Sequence, residues 1–267
     1  MEQVEFSYAM KIEFSSPVVR HCFSLRCLPF DNEYQTIREL FIEVSPHNVL
    51  TETADGFGNR ILTDRITEPH SAFSVYVNGI AQIHIADKAE EPLNGIYKYP
   101  SQYTRCGERL SALAEKNRAA VETLPTGEAV ELLMREMRKQ FTYQSGATTV
   151  QTTAEEALEK GKGVCQDYAH ILIALCRKLS IPARYVVGIQ EGVGETHAWV
   201  EFYDDGIWRG IDPTNDKWVN DRYLTLSHGR DFADCGINRG LFIGGGTQKQ
   251  TIEARVQVCS PYAKEGA

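Results

Sequence analysis

At 267 residues the chain is long enough for two modest domains, and with 42% hydrophobic residues neither needs disulfides to hold a core. A net charge of −8, with no basic clusters to neutralise phosphates, argues against nucleic acid as a partner. No run approaches a membrane span and Met1–Glu5 lacks the basic start and apolar centre of an export signal; seven cysteines, an odd number without repeated metal-ligand spacing, point to a reducing, cytoplasmic setting and no metal or cofactor.

The first 91 residues read as a β-rich domain. Short runs such as Phe73–Val77 and Ile80–Ile85 alternate apolar with polar residues and are divided by Gly and Pro signals, the mark of antiparallel strands. Residues 92–100, rich in Pro, Gly and Tyr, are the expected linker, and 101–267 the second domain. There the pattern turns helical, first over about Glu108–Ala119. A second helix over Glu128–Gln140 carries the stripe Val130, Leu133, Met134, Met137, Phe141. Thr153 with Glu156 predicts a capping box for a short helix ending near Lys160.

Cys165 opens the next helix. Val164, Tyr168, Leu172, Leu175 and Leu179 recur at helical intervals, Ile171 and Ile173 widen the stripe until the segment is apolar nearly all round, and Ser180-Ile181-Pro182 ends it. First-turn N–H groups favour a thiolate over a thiol. Gly161 and Gly163 leave room for a substrate backbone. A strand over Arg184–Ile189 follows, then His197 on an alternating strand, a turn at Asp204-Asp205-Gly206, and a return strand ending in Asp212. A two-residue type I′ turn at Asp205-Gly206 pairs Asp204 with Ile207 and makes His197 a diagonal neighbour of Asp212; a four-residue loop sets them opposite; a plain three-residue loop separates them. Beyond Leu241–Ile243, glycines 244–246 make a tight connection to a last strand, Ile252–Val258.

Residue types then assign roles. A thiol needs a neighbouring imidazole to become a useful nucleophile, and a carboxylate fixes the tautomer of that imidazole and stabilises its charged form. Cys165, His197 and Asp212 fit those parts. The Cys165 N–H and one further donor would receive the oxyanion, with Tyr143, Gln151 and Trp199 as candidates for the second. A zinc site from the same three residues is the weaker reading, since structural zinc recruits paired ligands at short spacing. Cys176 reads as a small buried hydrophobe, His170 as structural, Trp199 and Trp208 first as packing residues, and His228, Arg230, Asp231 and Asp234 as an ion-pair network.

Seven ordered blocks give these residues a family context. They are Phe141-Thr142-Tyr143 with Gly146–Thr149, Thr152–Leu158, Gly163–His170, Ile181–Gly188, Thr196–Glu201, Ile211–Asn215 and His228–Asp234. Together they resemble the core of the transglutaminase-like superfamily of papain-like thiol enzymes. Ser15–Val18, Leu40–Pro46 and Asp55–Asn59 are similar to the β-rich region preceding that core in bacterial members. The resemblance implies an α+β fold, with a central cysteine-bearing helix on an antiparallel sheet. It also implies acyl chemistry on an amide bond of a peptide or protein through a Cys-His-Asp triad. Hydrolysis is the expected outcome, since the chain is short and lacks acidic calcium sites; transfer to an amine and a noncatalytic scaffold are the alternatives. Loops around 191–195 and 218–224 should decide between water and amine.

Overall fold

The computed structural model describes residues 1–259. Strand β1 (Glu2–Leu25) buries alternate side chains from Val4 to Phe14 and turns Glu5, Lys11 and Glu13 to solvent. Pro17 cannot donate to a ladder, and between Glu13 and Val18 the register shifts, dividing the strand into two halves. The other strands of this region are β2 (Gln35–Ser45), β3 (Thr51–Ala54), β4 (Arg60–Ile66) and β5 (His70–Ile83). The first half of β1 pairs with β5, and β5 with β2; the second half pairs with β4, and β4 with β3. All are antiparallel, as the alternation implied.

Residues 92–100 form a docked strap, whose Tyr97 is buried and whose Tyr97 carbonyl accepts from the Arg177 guanidinium at 3.2 Å. Helices α1 (Glu108–Val121) and α2 (Thr126–Arg138) follow, then β6 (Thr142–Tyr143) and α3 (Ala154–Lys160). Thr153 and Glu156 cap α3 reciprocally, and it closes on Gly161 at φ +66°. After β7 (Lys162–Gly163) comes α4 (Cys165–Lys178), which is buried on nearly every side because α1, α2 and α3 surround it and a sheet lies beneath. That sheet comprises β8 (Ala183–Gln190), β10 (His197–Asp204), β11 (Ile207–Asp212), β12 (Lys217–Trp218) and β13 (Tyr223–Gly229), in the order β12-β11-β10-β8-β13; β9 (Gly192–Gly194) interrupts the β8–β10 connection. Ala198, Val200 and Phe202 meet α4 across one face. No helix of the described residues is long and apolar enough to cross a membrane.

The chain then crosses back. After the short α5 (Phe232–Cys235), β14 (Asn238–Gly244) and β15 (Gln248–Val258) leave the core sheet and pair with the two halves of β1. Residues 238–258 therefore share a sheet with residues 2–83, a division the expected boundary at residue 101 does not follow. Alternation identifies a half-buried strand but not the sheet that will accept it. On its other side β15 pairs with β9, so among the described residues one eight-stranded sheet runs from the amino-terminal strands to the β8–β10 connection. The two sheets also share a core, where Ile189, Leu224 and Leu226 pack among Tyr8, Phe73 and Val256.

Two amide side chains seal the outer edge of β13. Gln35 donates from Nε2 to the Thr225 carbonyl at 3.1 Å and accepts the Thr225 N–H at 2.8 Å. Asn59 treats His228 the same way, both bonds at 2.8 Å. Each fully buried amide thus imitates a residue of a neighbouring strand.

Candidate active site

Helix α4 begins at Cys165 because Val164 is extended, at φ −113° and ψ −177°, and Asp167 folds its carboxylate back over the first turn. Asp167 Oδ2 accepts the Val164 N–H at 2.8 Å and the Thr148 hydroxyl at 2.6 Å. A methyl at Gly163 would stand 2.3 Å from that oxygen. Gly163 thus makes room for Asp167, not for the substrate approach expected of it. Burial pushes the Asp167 carboxyl up despite these bonds, and its Oδ1 has no partner among the described residues. Parallel pairing of β6 with β7 sets Tyr143 opposite Gly163, two residues before the thiol, and both Tyr143 and Cys165 line one cleft.

His197 is the first residue of β10. Asp205 at φ +46° and Gly206 at φ +85° form a left-handed pair in the turn, and Asp204 faces Ile207 as a type I′ connection requires. The register continues to Val200 opposite Ile211; one step further sets Trp199 against Asp212 and His197 on its diagonal. The His197 Nε2–H donates to Asp212 Oδ2 at 2.8 Å. Cys165 lines the same cleft as this imidazole, whose remaining nitrogen is Nδ1.

Asp212 is fully buried and fully engaged. Its Oδ2 also accepts the Tyr223 hydroxyl at 2.8 Å and Asn215 Nδ2–H at 2.7 Å, and its Oδ1 accepts the N–H groups of Thr214 and Asn215 at 3.0 and 3.2 Å. Burial alone would raise this carboxyl. The His197 bond and charge, with Asn215 and Tyr223, outweigh it and hold the group below the carboxylate range. Burial likewise disfavours a charged His197, and the bond to Asp212, with the Cys165 sulfur nearby, overcomes it and raises the imidazole above its ordinary value. An imidazolium beside the sulfur is the favoured partner of a thiolate.

Cys165 and His197 line a cleft of about 770 Å3 together with Tyr143, Ser145, Gly146 and residues 190–196. Tyr143 is exposed at the rim. Gln151, also exposed, is not among the lining residues, and Trp199 is fully buried edge-on against Tyr223 at 5.3 Å, with no partner for its Nε1 among the described residues. Of the three candidate oxyanion donors, Tyr143 is the one lining the cleft. Of the two loops expected to decide between water and amine, 191–195 lines it and 218–224 stands behind, supplying Tyr223 to Asp212.

Asn215 and Tyr223 were not singled out in the sequence. Asn215 had a local signal, since an Asx turn places N–H groups two and three residues on against the aspartate. Tyr223 had none. His170 accepts the Phe232 N–H at 3.1 Å and is structural, as is the Arg230–Asp234 ion pair at 2.8 Å; Asp231 caps α5 through the Ala233 N–H at 2.7 Å. All seven cysteines are free.

Comparison with known proteins agrees with this architecture. Residues 112–219 match the family described as transglutaminase-like superfamily, and residues 4–82 match the bacterial transglutaminase-like N-terminal region. The uncharacterized protein Rv2569c of Mycobacterium tuberculosis is 30% identical over 259 residues, covering 82% of this chain and 80% of its own. The uncharacterized protein ML0607 of Mycobacterium leprae is 26% identical over 261 residues, covering 87% of this chain and 90% of its own. A crystal structure of a "putative cysteine protease" from Cytophaga hutchinsonii superposes with a TM-score of 0.79 at 25% identity, over 97% of this chain and 91% of that one.

Proposed function

Because this chain belongs to the transglutaminase-like superfamily, carrying the amino-terminal region of its bacterial members, we propose that it is a thiol hydrolase of amide bonds acting through Cys165, His197 and Asp212. The observation that carries the reading is the imidazole bonded to a buried, saturated carboxylate and lining one open cleft together with the Cys165 thiol. His197 takes the thiol proton at Nδ1 while Asp212 fixes Nε2–H. The sulfur attacks the substrate carbonyl, whose oxygen is received by the first-turn N–H of Cys165 with Tyr143 as the second candidate donor. The imidazolium returns its proton to the departing amine, leaving a thioester on Cys165. Water, deprotonated by His197, then adds to the thioester; the acid leaves and the thiol is restored.

Hydrolysis is favoured over transfer because the loop lining the cleft is open to solvent. Residues 191–195 are all exposed, so water reaches the thioester without a closing lid. The test is to incubate the protein with peptide and side-chain amides, with and without a primary amine, beside Cys165→Ala. Release of acid or ammonia without amine incorporation, lost in Cys165→Ala, is the expected result. Incorporation of the amine would make the protein a transferase, and an inert Cys165 under thiol-directed acyl probes would make it a scaffold.

A further inference from the structure

Strand β9 is the last strand of the eight-stranded sheet. Gly194, Val193 and Gly192 pair with Ala254, Arg255 and Val256 of β15 on one side. A strand paired on one side directs alternate N–H and C=O groups outward, unpaired. All three residues line the cleft with Cys165 and His197. Proteins usually blunt such an edge with a charged side chain, a proline or a cover. β9 has two glycines instead. Gly192, at φ +113°, is set by its backbone, but a side chain at Gly194 would meet nothing within 4 Å and its φ is unremarkable, so neither packing nor backbone demands glycine at 194. What glycine does provide is access for another backbone.

We propose, resting on the thiol-hydrolase reading, that the substrate is an extended polypeptide segment that enters the cleft as a further strand on the free edge of β9, its main chain delivering the scissile carbonyl to Cys165. Recognition is then mainly by backbone, with side chains contacting alternate sides of the cleft. Tyr143, Ser145 and Gly146 line the same cleft and offer the segment further contacts. A folded helix or a small isolated amide cannot make this pairing. The substrates are loops, termini or unfolded stretches long enough to span the three residues of β9.

The test uses the full chain and acetyl-tetraalanine chloromethyl ketone, which alkylates a cysteine nucleophile. Its rate of labelling Cys165, read by mass spectrometry, is compared with shorter acetyl-alanine ketones, with singly N-methylated versions at each position, and with iodoacetamide as a measure of the thiol alone. Strand addition predicts faster labelling as the peptide lengthens. N-methylation should cost about tenfold at alternate positions and little at those between, the loss expected for one hydrogen bond. Equal rates across the N-methyl series, or a tetrapeptide no better than a single alanine while iodoacetamide labels Cys165, would overturn strand addition and leave the thiol chemistry standing. Failure of iodoacetamide and every ketone to label Cys165 would overturn both.

Discussion

Two strand edges of this molecule meet opposite fates. The outer edge of β13 is closed by Gln35 and Asn59, each giving and receiving a hydrogen bond with the strand's backbone. The outer edge of β9 is left open, glycine-lined, over the thiol. Both edges lie where the amino-terminal sheet meets the core, and the first shows that this sheet can saturate a strand when it covers one. The amino-terminal region therefore does two things: it seals the core where no chemistry occurs and, through β15, holds up a wall of the cleft where it does.

The comparison can be broken most decisively at the open side. Asp212→Asn keeps the shape of the carboxylate but cannot hold an imidazolium, and kcat/KM should fall on the order of 10²–10⁴-fold with the fold retained. A circular dichroism spectrum unchanged beside activity within tenfold of the parent would remove Asp212 from the mechanism. At the sealed side the expected loss is in stability. Asn59→Leu strands the His228 N–H and carbonyl in the interior and should cost about 2–4 kcal/mol in urea unfolding. If the midpoint hardly moves, the amide clamp is ornament and the two edges differ less than stated.

Acid sharpens the same contrast. Burial, aided by Arg177 near His170 and Arg184 near His228, holds both imidazoles down to about 3. An unfolded histidine binds its proton near pH 6.5. Between those values the unfolded chain carries the extra protons, so the contribution to stability is whole above about pH 6.5 and is lost as pH falls toward 3. The slope approaches about 1.4 kcal/mol per pH unit for each histidine. Replacing His228 by Gln should flatten the acid limb of a pH series of urea midpoints; an unaltered limb would show that His228 protonates freely. The smallest effect belongs to the cleft rim. Glu191 is paired with Arg222 at 2.8 Å, whereas Glu195 has no ion pair among the described residues, and no Lys or Arg lines the cleft. Glu195→Gln should reduce a preference for lysine-bearing over glutamate-bearing peptides by about two- to fivefold, an exposed charge being well screened. The ratio of kcat/KM for such a pair at low salt measures it.

Local chemistry was legible in the sequence, and long-range pairing was not. Asp205-Gly206 dictated its own turn, and with it the register that sets His197 diagonal to Asp212; Thr153 and Glu156 announced the α3 cap; Pro182 marked the end of α4. Each signal lies within a few residues of what it determines. Strands β14 and β15 were readable as strands but not as partners of β1, because the partner is more than two hundred residues away and alternation carries no address. Gln35 and Asn59 were missed because their partners Thr225 and His228 lie 190 and 169 residues away, and Tyr223 because no turn or cap signal marks its reach across the sheet to Asp212. Gly163 was visible and misread, since its constraint comes from Asp167, four residues on, folding back over the helix start.

Strand β15 belongs to two loyalties at once, β1 on one flank and β9 on the other. Severing the chain in its glycine link, 244–246, and losing the strand beyond would remove no residue of the triad. The rim that guides a polypeptide would nevertheless lose its anchor. A nick remote from the sulfur could thus silence turnover of long substrates while small electrophiles continued to reach it.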